Sequence, residues 1–165
     1  MPNFHNSIAL DELDLAILRQ VQVDCSISNS ELARRICLSQ PATHTRLKRL
    51  REAGIIRQSV SLLDRAKLGM NLSCFIQIQL NAHDPAVFEN FQQFIKQMPE
   101  VLECHYLTGA SDYLLKVVLT DQEHLGRFVR EQLAALQNVR QITTSVVMFE
   151  VKSTTVLPLP NVKLS

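Results

Sequence analysis

The chain has 165 residues, 46% of them hydrophobic and 20% charged, and its net charge is +1. Those values fit one ordinary globular domain or two small ones. No run is long enough to cross a bilayer, and MPNFHNSIALDELD lacks the basic flank and apolar run of a secretory signal, so the expected location is the cytoplasm, with no membrane partner. Cys25, Cys37, Cys74 and Cys104 form no CxxC pair. They read as four reduced thiols, mostly buried, and their spacing matches no zinc site.

Leu10, Leu13, Ile17, Leu18 and Val21 recur at helical spacing, with Asp11 as N-cap. Ser28-Asn29-Ser30-Glu31 reads as a capping box opening a second helix, which must end near Cys37-Leu38. Ser39-Gln40-Pro41 starts a third, with Ser39 as N-cap and proline tolerated in the first turn. Gly54 is its natural stop. Two short helices joined by a tight turn, with a supporting helix in front, make a helix-turn-helix.

Winding the third helix at 100° per residue puts Thr43, Leu47 and Leu50 on the core face. Pro41, Thr45, Lys48, Arg49 and Glu52 fall opposite, with His44 and Arg46 at the borders. Between residues 33 and 58, Arg34, Arg35, Arg46, Lys48, Arg49, Arg51 and Arg57 face one acid, Glu52. This excess is either a phosphate-binding footprint or a solvated basic face. A recognition helix needs donors for base edges near its N-terminus and cations for phosphates beside them. The candidate DNA-binding residues are therefore Ser39, Gln40, Pro41, His44, Thr45, Arg46, Lys48 and Arg49. Residues 55–63 have strand-like composition, suited to a wing or to a connector between domains.

The second half alternates. Leu72, Cys74, Ile76, Ile78 and Leu80 repeat with period two, as in a strand. Asp84-Pro85 starts a helix carrying Phe88, Phe91 and Ile95, which Met98-Pro99 ends. Strands are expected at about 101–108 and 113–120. Asp121 caps another helix with Leu125, Phe128, Val129 and Leu136 on its core side, and a last strand covers about 141–151. This βαββαβ order is the ferredoxin-like arrangement. The sheet face away from the helices carries Phe75, Val118, Val147, Phe149 and Val151 among Gln77, Gln79 and Ser145. Apolar residues there call for a cover, and a second copy of the chain is the simplest one.

The order of these parts resembles the Lrp/AsnC (leucine-responsive/asparagine-biosynthesis) family of transcription regulators. The matching stretches are LDELDLAIL (10–18), ISNSELARRICLS (27–39), RLKRLREAGII (46–56), PEVLECHYLTGASDYLLKV (99–117) and VVMFEVK (146–152). The resemblance implies an α+β chain. A winged helix-turn-helix domain (8–58) and a connector (59–71) would precede a ferredoxin-like effector-binding and oligomerisation domain (72–159). It also implies dimers assembling to octamers or similar multiples on double-stranded DNA in the nucleoid, an amino-acid effector, no cofactor and no enzymatic activity. The expected function is sequence-specific regulation; the alternative is an architectural DNA-wrapping protein.

In the family the motif tied to effector response is Gly-x-x-Asp-Tyr, here Gly109, Ala110, Ser111, Asp112 and Tyr113. Glycine bares backbone amides that suit a carboxylate, and Asp112 could accept an α-ammonium group. A plain hairpin turn, with Asp112 bonded to local amides, uses the same residues. Family members often carry glycine where Cys37 stands, so a left-handed Cys37 would be strained.

Overall fold

Three helices open the chain: α1 (Glu12–Val21), α2 (Asn29–Arg35) and α3 (Gln40–Glu52). The computed structural model describes residues 9–81 and 84–160. A reciprocal capping box starts α1: the Asp11 carboxylate accepts the Asp14 N–H at 2.8 Å, and Asp14 accepts the Asp11 N–H at 3.1 Å. Ser28 caps α2 by accepting the Glu31 N–H at 3.2 Å. The second half of the expected box is not made, because the Glu31 carboxylate turns to Arg34 and Arg35 instead. Charge-assisted bonds to two guanidiniums outcompete one to a backbone amide.

Two of these helices end in the same motif. Gly54 has φ +71°, and beyond it the Ile55 N–H reaches back to the Leu50 carbonyl at 3.1 Å. Cys37 has φ +55°, and the Leu38 N–H reaches the Ala33 carbonyl at 3.0 Å. Both are Schellman endings, which require a left-handed residue just past the helix. Leu15, Ile17, Leu18, Leu32, Ile36, Leu47 and Leu50 form the core between the helices. Each such leucine or isoleucine contributes about 1.5–3 kcal/mol by burial.

Of the two readings of residues 55–63, the structure favours the connector: among the described residues no strand forms between α3 and the sheet. Residues 55–63 have the composition of a strand but no partner strand among the described residues, and Val60, Leu62 and Leu63 are exposed. The chain divides into two compact units, one reaching to Leu62 and including the tail from Lys152, the other Leu63–Val151. The tail rejoins the helices through Gln22, which donates to the Leu157 carbonyl at 3.1 Å and accepts the Leu157 N–H at 3.0 Å. Arg19 donates to the Pro160 carbonyl at 2.6 Å, and Leu159 packs on the helical core.

The second unit is β1 (Leu72–Leu80), α4 (Pro85–Lys96), β2 (Val101–Tyr106), β3 (Tyr113–Leu119), α5 (Gln122–Arg127) and β4 (Val139–Val146). Its antiparallel sheet has the order β2-β3-β1-β4, the ferredoxin-like topology. Leu72, Cys74, Ile76, Ile78 and Leu80 all point into the core with Tyr113, Leu115, Val117 and Leu119. After α5 the chain continues as a π-helical turn, Phe128–Leu133. Phe128 and Leu133, its first and last residues, are fully buried, while Leu125, Val129 and Leu136 are only partly so.

Two further expectations need correction. The last strand stops at Val146 rather than near 151. Val147 donates to the Ser73 carbonyl at 2.9 Å, and past that point β1 has almost no residue left to pair. Phe149 and Val151 therefore lie outside the sheet, exposed. Of the four thiols, only Cys74 is buried, and burial pushes its pKa up; Cys25, Cys37 and Cys104 are exposed.

Candidate functional site

The helical unit builds its exposed face on α3. Thr43, Leu47 and Leu50 turn inward, while Gln40, Pro41, His44, Thr45, Lys48 and Arg49 are exposed. Ser39 spends its hydroxyl on the cap, accepting the Ala42 N–H at 3.4 Å. Thr45 donates to the Pro41 carbonyl at 3.0 Å, and the Gln40 carbonyl accepts from Asn29 Nδ2 at 3.0 Å, which ties α2 to the start of α3. The side chains of Gln40, His44 and Lys48 project from one side with donors toward solvent. Lys48 meets Glu52 only at 3.7 Å, with both side chains well exposed.

The two arginines of the set are engaged elsewhere. Arg46 Nη1 lies 2.6 Å from Asp11 Oδ2 and 2.9 Å from Asp14 Oδ1. Arg49 Nη2 pairs with the other Asp14 oxygen. Asp14 is completely buried. A buried carboxylate is tolerated only when paired and hydrogen-bonded, and this one has both guanidiniums and the Asp11 N–H. The Asp14 amide and then Arg46 hold the Asp11 carboxyl below the usual range, and the same pairing raises Arg46. Sequence reasoning passed over Asp14 because acids are rarely buried. The available signal was two acids three apart at the start of α1, Asp11 and Asp14, and two arginines three apart on α3.

In the sheet unit, the loop between β2 and β3 is closed by the Leu107 N–H donating to the Asp112 carbonyl at 2.8 Å. Gly109 sits at φ +131°, where only glycine is at ease. Among the described residues, the amides of Gly109, Ala110 and Ser111 bond to no backbone or side-chain acceptor, so the loop offers N–H groups. Gln79 Nε2 holds it by donating to the Ala110 carbonyl. The half-buried Asp112 side chain accepts the Leu80 N–H at 2.7 Å, and its own N–H donates to the Ile78 carbonyl at 2.9 Å. Asp112 thus pins the loop to β1.

Tyr113 belongs to the core side. It is 1% exposed, its ring centroid lies 4.6 Å from that of Phe91, and its hydroxyl accepts from Gln92 Nε2 at 2.9 Å. Continuing the period-two pattern back from Leu115 through Tyr113 points the same way.

Comparison with known proteins finds a match for each half of the chain. Residues 10–57 match the model described as winged helix-turn-helix DNA-binding, and residues 73–157 match the Lrp/AsnC ligand binding domain. The chain is 39% identical to the transcriptional regulator AzlB of Bacillus subtilis over 152 residues, 92% of this chain and 97% of that protein. It is 38% identical to the leucine-responsive regulatory protein of Klebsiella pneumoniae over 143 residues, 87% of each. A transcriptional regulator of Neisseria meningitidis, solved in complex with L-methionine, superposes with a TM-score of 0.88 at 36% identity, covering 91% of this chain and 97% of that one. Helix-turn-helix, ferredoxin-like sheet and these likenesses across nearly the whole chain place it in the Lrp/AsnC family of transcription regulators, with an N-terminal DNA-binding domain and a C-terminal ligand-binding domain.

Proposed function

We propose that the chain regulates specific promoters as a homo-oligomer, reading DNA with α3 and changing its affinity when an amino acid binds the sheet unit. It acts by binding, not by catalysis, in the cytoplasm at the nucleoid. Gln40, Pro41, His44 and Thr45 meet base edges in the major groove. Lys48 meets phosphate, Ser39 fixes the start of the helix, and Arg46 and Arg49 flank the same face. The observation that carries this reading is an exposed, donor-bearing α3 face on a helix whose other face is locked into the core.

The effector reading rests on the loop amides of Gly109, Ala110 and Ser111, which suit a carboxylate. Asp112 holds that loop in shape, and Tyr113 supports it from the core rather than touching the ligand. The methionine in the Neisseria relative supports an amino acid as the ligand class.

The test is to select genomic fragments bound by the protein, then to measure affinity for a selected and a scrambled fragment at fixed salt, with and without each common amino acid. The selected fragment should bind at least about 10³-fold tighter, and at least one apolar amino acid should shift that ratio. Equal affinity for both fragments would show an architectural DNA-wrapping protein instead.

A further inference from the structure

The basic residues near α3 are unequal. Of the seven cations between residues 33 and 58, Arg34 and Arg35 are held by Glu31, Arg46 and Arg49 by Asp14, and Lys48 loosely by Glu52. Arg51 and Arg57 have no ion pair among the described residues. The partners also differ in kind. Glu52 is as exposed as Lys48 and gives up its pair at little cost. Asp14 has no contact with water, so a guanidinium that leaves it strands a buried charge.

We infer that Asp14 is a positioning residue for DNA binding. It withholds the Arg46 and Arg49 guanidiniums from the phosphates and uses them to fasten α3 to α1. The inference rests on α3 being the DNA-reading helix. A phosphate contact gains the protein one released counterion per cation, whereas losing either arginine costs Asp14 a buried charge-assisted bond. The second is the larger loss, so both arginines stay with Asp14 when DNA arrives. Arg46 is held twice, because Asp11 takes the same nitrogen. The sequence-independent attraction then falls to Lys48, Arg51 and Arg57, and α3 enters the groove at an angle fixed by Asp14 rather than by the phosphates.

Salt dependence reads this directly, since each phosphate-bound cation adds about 0.9 to the slope of log K against log salt. The slope is measured on a selected fragment for the wild type and for single variants. Lys48→Ala and Arg51→Ala should each flatten it by about 0.9. Arg46→Ala and Arg49→Ala should leave it unchanged. Asp14→Asn should steepen it by about 0.9, because Arg49 is released while Asp11 keeps Arg46. That is about a 3.5-fold greater loss of affinity for each fourfold rise in salt. A merely architectural Asp14 would lower affinity equally at every salt concentration. Flattening in Arg49→Ala, or a slope unmoved in a folded Asp14→Asn protein, overturns the inference. If Asp14→Asn does not fold, the two arginine variants decide alone. If Lys48→Ala and Arg51→Ala both bind like wild type at all salt concentrations, the assignment of α3 itself has failed.

Discussion

Cys37 and Gly54 occupy the same place in two helix endings, yet only one is glycine. A side chain in the left-handed region crowds its own carbonyl, at about 1–2 kcal/mol per residue. The Schellman bonds from Cys37 and Leu38 back to Arg34 and Ala33 hold it there, because the turn must bring Ser39 round to cap α3. Replacing Cys37 by glycine removes the crowding but adds chain entropy to the unfolded state, which offsets part of the gain. Cys37→Gly should therefore stabilise the protein by about 1 kcal/mol, while Cys37→Ala, which keeps the Cβ, should change little. Chemical denaturation of the two variants measures the difference, and equal stabilisation by both would remove strain as the explanation.

At the scale of elements, α2 depends on a side-chain staple. Glu31 accepts two bonds from Arg34 at 2.7 and 2.8 Å and one from Arg35 at 2.8 Å. These bonds, Arg34 first, hold its carboxyl down from 4.5 to about 2. A depressed carboxylate contributes stability above its ordinary pKa and loses it as pH falls through the folded value, so the window runs from about 4.5 down to about 2. An NMR titration of the Glu31 carboxyl should give a midpoint near 2 in the wild type and one nearer 4.5 in Arg34→Ala. A wild-type midpoint near 4.5 would mean that the staple does not form in solution. Which elements could be read from sequence follows from the same local physics. Periodicity of 3.6 located the inner face of α3, and period two located the inner face of β1, since burial imposes both patterns. Leu133 was legible by the same rule, four residues after Val129 and eight after Leu125, whereas the π-turn that carries it is not written in any apolar spacing. The end of β4 and the bonding of the tail to Gln22 depend on which backbones run out of partners, and no local pattern records that.

At the scale of the whole molecule, one face of the sheet carries no helix of its own unit among the described residues. Cross-strand partners place Phe75, Lys116 and Ser145 in one row, with Gln77, Leu114 and Thr143 in the next. Phe75 is 39% exposed in the middle of that face, and Leu114 and Val118 are half-buried beside it. The segment 60–70 adds exposed Val60, Leu62, Leu63, Leu68 and Met70, and the chain after β4 adds Met148, Phe149 and Val151. Monomers rarely leave so many apolar side chains in water. A second copy related by a two-fold axis could cover such surfaces and would also present two α3 helices for two half-sites. Phe75 tests this because it lies opposite the core: Phe75→Asp should leave the fold intact while placing like charges face to face across the interface. Sedimentation at micromolar concentration should show at least a dimer for the wild type and a lower state for Phe75→Asp, with unchanged far-UV circular dichroism. A wild-type monomer under those conditions would rule out the sheet face as an interface, and a variant that assembles like the wild type would shift the contact to the segments flanking the sheet.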